Sequence, residues 1–214
     1  MLVKSVMTAN PVTVQAGTSV PEVKDVMTRN KINTLPVVDK NGALTGIVTR
    51  ADLVKSTPSD ATTLDMFELS YLLSKLSVDK IMVRSVKTVG ENETVEEAAR
   101  LMADYGISCL PVMRGNLIVG IITESDLFRA FIDMFGTRHA GVRATFTMND
   151  KPGALNVFTQ ALAELNGNIV SLVTADVDSP DSRKVTIRVT GVSKEQVESA
   201  VGKCSGVLED IRNV

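Results

Sequence analysis

The residues best placed to do chemistry are two hydroxyl–carboxylate pairs, Thr49-Arg-Ala-Asp52 and Thr123-Glu-Ser-Asp126. Each follows an apolar run, Gly46-Ile-Val48 or Gly120-Ile-Ile122, that reads as a buried strand entering a helix. At a helix start this spacing forms a cap, in which the hydroxyl and carboxylate satisfy orphan N–H groups for about 1 kcal/mol. Whether the two pairs only cap helices or also hold a ligand is the question that the rest of the sequence bears on. Other chemistry is sparse. His139 is the only histidine and sits in a linker without a visible partner. Cys109 and Cys204 lie far apart with no C-x-x-C pairing, as expected of reduced core thiols. No phosphate-loop, nucleophile-elbow or metal-spaced motif occurs, so neither a catalytic nor a metal site is expected and the chain does not read as an enzyme.

The elements that position the two pairs are written twice. Residues 7–53 and 82–127 align at an offset of 75, falling to 74 after the Asn41-Gly42 turn. Identities include Met7/Met82, Thr13/Thr88, Val20/Val95, Met27/Met102, Leu35/Leu110, Pro36/Pro111, Gly46/Gly120 and Asp52/Asp126. Each copy starts with a short extended piece, Val12–Val14 or Lys87–Val89. A helix follows, opened by Ser19-x-x-Glu22 or Thr94-x-x-Glu97, both read as capping boxes. Next come a strand centred on Leu35-Pro-Val-Val38 or Leu110-Pro-Val-Met113, a tight turn, a second strand and the closing helix. The plan is β-α-β-β-α.

This plan, with Met7-Thr8, the Leu-Pro-Val centres and the Gly-h-h-Thr-x-x-Asp ends, resembles a tandem pair of CBS domains. The resemblance implies clefts for an adenosine nucleotide or adenosyl compound such as AMP, ATP, NAD or S-adenosylmethionine, each walled by both repeats. One would join Thr123, Ser125 and Asp126 to Ile32, Asn33 and Thr34. The other would join Thr49 and Asp52 to Ile107, Ser108 and Cys109. The first is favoured, because Ser125 adds a hydroxyl where the other copy has Ala51 and Lys31 supplies a cation where it has Gly106. Capping alone is the competing reading of both turns.

Between the copies, Met66, Leu69, Leu72/Leu73 and Leu76 carry helical spacing and predict a connector helix. After a helix stop at Gly136, alternation at Val142, Ala144, Phe146 and Met148 starts a new β-α-β-β-α-β sequence, which is ferredoxin-like. With Asp150-Lys-Pro-Gly-Ala-Leu155 it resembles an ACT domain. That resemblance implies an amino-acid site at Asp150, Gly153 and Asn168, commonly between two copies. Assembly without a ligand is the alternative.

The expected fold is therefore α+β. CBS repeat 1 covers residues 1–57, a connector 58–77, CBS repeat 2 78–136 and the ACT domain 137–214. The arrangement resembles the acetoin-utilisation-type bacterial CBS/ACT proteins and implies a ligand-sensing regulator, a homodimer or higher homo-oligomer acting on a protein target that the sequence does not name. The alternative is a ligand-free oligomerisation or interaction protein. Composition is ordinary for a globular chain: 214 residues, 44% hydrophobic, 22% charged, net charge −2. The balanced charge speaks against nucleic acid as a partner. The longest strongly apolar run, Leu117–Ile122, is too short for a membrane span, and the start lacks a signal-peptide core, so a cytoplasmic location is expected.

Overall fold

The computed structural model describes residues 1–56, 71 and 74–214. Most of the expected connector helix lies outside the described residues. The chain divides into two compact units, Met1–Phe128 and Arg129–Val214. Each is described by itself.

The first unit holds the duplicated half. Its strands are β1 (Thr8–Ala9), β2 (Val14–Gln15), β3 (Thr34–Val38), β4 (Leu44–Thr49), β5 (Val89–Gly90), β6 (Cys109–Arg114) and β7 (Leu117–Thr123). Its helices are α1 (Val20–Asn30), α2 (Arg50–Lys55), α3 (Val95–Tyr105) and the first turns of α4 (Glu124–Met134). One sheet runs β2-β3-β4 and the other β1-β7-β6-β5. The Leu-Pro-Val strands sit mid-sheet, where proline is normally excluded. They are tolerated because β2 and β5 pair only beyond the proline, at Val37–Val38 and Val112–Met113.

The two helix starts expected as capping boxes are half-built. Ser19 and Thr94 accept from the backbone N–H groups of Glu22 and Glu97. The Glu97 carboxylate goes instead to Arg100, in a fork at 2.7 and 2.8 Å. An i,i+3 arginine offers two charge-assisted donors where the cap offers one neutral N–H. Complete boxes stand at Thr49/Asp52 and at Ser193/Gln196.

The repeats exchange their leading segments. Val3 N–H donates to the Glu93 carbonyl and Lys4 N–H to that of Glu91, at the start of the second repeat. The matching bonds run from Val78 to Thr18 and from Asp79 to Ala16, in the first. Consequently Val78 and Met82 lie in the core of repeat 1, with Val23, Met27, Leu35, Val37 and Val48. The reason for glycine before each pair also emerges. A methyl group at Gly46 would strike the Met82 side chain, and one at Gly120 that of Met7.

The second unit contains the rest of α4, then β8 (Val142–Asn149), α5 (Ala154–Glu164), β9 (Asn168–Asp176), β10 (Ser182–Thr190), α6 (Lys194–Lys203) and β11 (Val207–Asn213). The antiparallel sheet runs β11-β8-β10-β9, in the expected ferredoxin-like order. Alternation sends Val142, Ala144, Phe146 and Met148, with Val185, Ile187 and Val189, into one core against Phe158, Leu162, Val197 and Val201. Cys204, expected in this core, stands at its margin. It ends α6 half-buried, and its thiol donates to the Val201 carbonyl.

Candidate ligand cleft between the repeats

Thr49 ends β4 in extended conformation and caps α2. Its backbone N–H and its hydroxyl both donate to Oδ2 of Asp52, at 2.8 and 2.7 Å, while Asp52 N–H returns a bond to the hydroxyl. Thr123 repeats the arrangement on Oδ2 of Asp126, at the same two distances. Both carboxylates thus spend one oxygen on their own turn. They differ in burial: Asp126 is 3% exposed, and Asp52 is only half-buried. Ser125 is exposed.

The opposite walls are fixed by the strand registers. Thr34 pairs with Thr49 and Cys109 with Thr123, so each turn lies beside the Leu-Pro strand of its own repeat. Arg50 N–H donates to the Asn33 carbonyl and Glu124 N–H to that of Ser108, which ties helix start to wall in both copies. The walls then meet across the repeats. Burial raises the Cys109 thiol pKa, and the Thr34 hydroxyl beside it lowers it in part. Since Thr34 and Cys109 are equivalent positions, this contact lies where the two copies face each other.

A cleft of about 260 Å³ opens on the Thr49 side. Thr49, Ile107, Ser108 and Cys109, four of the residues assigned to one cleft from the sequence, line it together. Asp52 supports it through Thr49. Ile47 and the segment Val83–Lys87 complete the wall, Val83 being bonded both ways to Ile47 at 2.9 Å. Lys87 and Ser85 escaped the sequence reading, which searched the turns and the Leu-Pro strands only. The repeat offset was the available signal, because it aligns Lys87 with Val12 and marks a charge present in one copy alone. The Lys87 ammonium lies 4.1 Å from the centre of the Tyr105 ring. The residues assigned to the other cleft are divided by their surroundings: Asn33 is tied to Arg50, Ile32 packs against the repeat 1 core, and Lys31 is exposed. Lys31 ends α1 at φ +55°, and its counterpart Gly106 ends α3 at φ +61°. That left-handed conformation suits glycine and strains lysine.

In the second unit, Asp150 accepts from Arg183 at 2.9 Å, and that carboxylate holds the guanidinium above its ordinary pKa. Gly153 stands at φ +84° before α5 with open space beside it, so the turn conformation, not crowding, calls for glycine. Asp150 and Gly153 line a small cleft of about 100 Å³. Asn168 is not there. It pairs with Thr190, whereas Asp150 follows Asn149, which pairs with Ser182 at the other end of β10. Within one chain the two are separated by the length of the sheet.

The CBS domain family matches residues 3–58 and 78–133, the two copies just described. The chain belongs to the CBS domain family. Residues 140–212 of this CBS protein match the TTHA0829-like ACT domain. Among solved structures, the CBS protein is 31% identical to the CBS domain pair of MJ0100 in complex with 5′-methylthioadenosine and S-adenosyl-L-methionine. That likeness covers 65% of this chain and 98% of the other, with a TM-score of 0.52. It is 31% identical to CBSX2 in complex with AMP, over 61% and 96% of the two chains, with a TM-score of 0.51. An acetoin utilization protein (AcuB) from Vibrio cholerae is 28% identical over 64% and 95%, with a TM-score of 0.54. Among curated relatives, L-aspartate semialdehyde sulfurtransferase of Methanocaldococcus jannaschii is 33% identical over 61% of this chain, which spans only 23% of the relative's length. Among the described residues no helix is long and apolar enough to cross a membrane.

Proposed function

We propose that this chain is a ligand-sensing regulatory protein that binds an adenosine nucleotide or related adenosyl compound in the cleft on the Thr49 side. The observation that carries the reading is that cleft itself, which gathers Thr49, Ile107, Ser108 and Cys109 from both repeats. Asp52 keeps Oδ1 clear of its own cap and accepts from ribose hydroxyls. Lys87, one of the lining residues, supplies the cation for a phosphate or a carboxylate. The ligand complexes of MJ0100 and CBSX2 support the ligand class. The Asp126 side, with Lys31, Ile32, Asn33 and Thr34, is the second site. Bound ligand favours one arrangement of the two repeats, and the response is limited by its differential affinity for the alternatives. No turnover is assigned.

For the ACT domain we propose a site completed by a second copy. β9 is an edge strand of its sheet among the described residues. Two copies paired antiparallel along it would bring Asn168 of one toward Asp150 and Gly153 of the other, where a small amino acid would bind. This requires a homodimer or higher homo-oligomer.

A ligand-free interaction protein is the second reading, and the observation favouring it is that both aspartates already serve as caps. Calorimetry with AMP, ATP, NAD and S-adenosylmethionine, with native mass spectrometry for ligand and subunit count, separates the two. The sensing reading expects saturable heat with at least one compound, weakened by Asp52→Ala. No heat from any of them rejects it.

A further inference from the structure

The outer face of the sheet in the second unit carries a row of arginines. The registers place Ser171 of β9, Arg188 of β10, Arg143 of β8 and Arg212 of β11 side by side across all four strands. One carboxylate serves them: Asp210 accepts from Arg143 at 2.9 Å and from Arg212. Arg188 is left without a carboxylate partner among the described residues, although it is only 7% exposed. Its Nη1 donates to the His139 carbonyl at 2.7 Å. A buried guanidinium held by one neutral carbonyl is an incomplete arrangement, because a charge removed from water calls for a counter-charge.

A cleft of about 300 Å³ lies over this point, within the range of small-molecule sites, roughly 300–1,000 Å³. Arg143 and Arg188 line it, with Thr137, Thr186, Phe135 and Val173. Its outer wall is the segment after α4, tied to the sheet twice. The Ser171 hydroxyl donates to the Phe135 carbonyl, and Arg188 holds His139. No sealed side-chain nitrogen lacks a partner among the described residues. The N–H groups that Arg188 does not spend on His139 therefore open onto the cleft. A planar guanidinium fork of this kind matches the paired oxygens of a carboxylate or phosphate.

We propose that this cleft binds a small oxyanion, a phosphate or carboxylate group held by Arg188 and Arg143, with any apolar portion resting on Phe135 and Val173. The site is separate from the Asp150 turn, since Arg143 opens β8 and Asp150 follows its far end. It is also independent of the adenosine cleft.

The test is a titration of the full chain, isotope-labelled for NMR, with inorganic phosphate in one arm and succinate in the other, at matched ionic strength. Saturable shifts centred on the Arg188 and Arg143 side-chain N–H groups and on the Ser171 and Thr186 amides are expected, and the responding arm identifies the chemistry. Arg188→Lys keeps the charge but loses the fork and should weaken binding on the order of tenfold. Arg143→Gln, at a half-buried position, gives the same readout should the buried substitution unfold the domain. The proposal is overturned if neither anion produces localised saturable shifts at millimolar concentration. It is equally overturned if the shifts are the same in wild type and in each folded variant.

Discussion

The turns at Thr49/Asp52 and Thr123/Asp126 are one device in two settings. Their hydrogen bonds agree to a tenth of an ångström, yet one aspartate is half-buried and the other sealed. The lysines differ as well. Lys87 lines the Thr49-side cleft from the segment before β5, whereas Lys31 stands exposed at the left-handed end of α1. Duplication preserved the capping chemistry, which each helix needs for itself. The residues around each turn that the cap does not use differ between the copies, as Ser125 and Ala51 do.

The largest effect should come from the exchanged methionines. Met82 is 8% exposed in the repeat 1 core, and its counterpart Met7 is half-buried. Met82→Ala should cost about 2–4 kcal/mol in urea denaturation and Met7→Ala about 1 kcal/mol. Equal losses would show that the two crossings are equivalent after all. Next come the aspartates. Asp126→Ala should lower stability by about 2 kcal/mol, as the loss of a buried cap does. Asp52→Ala should lower it by about 1 kcal/mol while weakening adenosine-compound binding on the order of tenfold. Binding lost in a folded Asp126→Ala protein, with Asp52→Ala unaffected, would move the primary site to the other cleft. Exchange at the helix ends should act in opposite directions. Lys31→Gly relieves a left-handed lysine and gains up to about 1 kcal/mol, whereas Gly106→Lys loses about that much. Thermal melts of the pair check the signs.

The smallest effect is chemical. The Cys109 thiol stays protonated above the ordinary cysteine range, because burial opposes its charge. A group whose folded pKa is raised adds stability below its unfolded pKa and loses it as pH climbs through the folded value. Alkylation of Cys109 should therefore be slow at neutral pH and accelerate only in alkali, and an adenosine compound should slow it further. Protection that persists in Asp52→Ala would assign the effect to something other than the Thr49-side cleft.

Both domains were legible in the sequence for different reasons. In the CBS pair, a repeated pattern removed the ambiguity of short apolar runs. In the ACT domain, strict alternation over β8 and β10 marked a sheet with one buried face. Thr49 and Ile107–Cys109, grouped in the sequence by the family resemblance, line one cleft in the structure, and of them Thr49 and Ile107 recur in the other copy as Thr123 and Ile32. Lys87 and Ser85 were not legible, because a wall made by a non-repeated charge in an extended segment has no periodicity to betray it. Glu97 misled, since a carboxylate three residues after a threonine serves a cap or an i,i+3 arginine equally well. Asp150 and Asn168 matched a site by type, but strand direction, which type alone does not convey, sets them at opposite ends of the sheet. Arg188 belongs to no motif or spacing singled out in the sequence. Only the segment laid across the sheet makes it buried.

The crossed leading segments bear on how this protein comes into being. Val3 completes the entrance to the second repeat, and Val78 completes that of the first. Neither repeat possesses all of its own body. A ribosome that has released only the first copy has made an object whose core lacks Val78 and Met82. Contacts between residues roughly 60 to 90 positions apart have to close before either half is finished, a step whose rate chain topology limits. The smallest inheritable unit is therefore the couple.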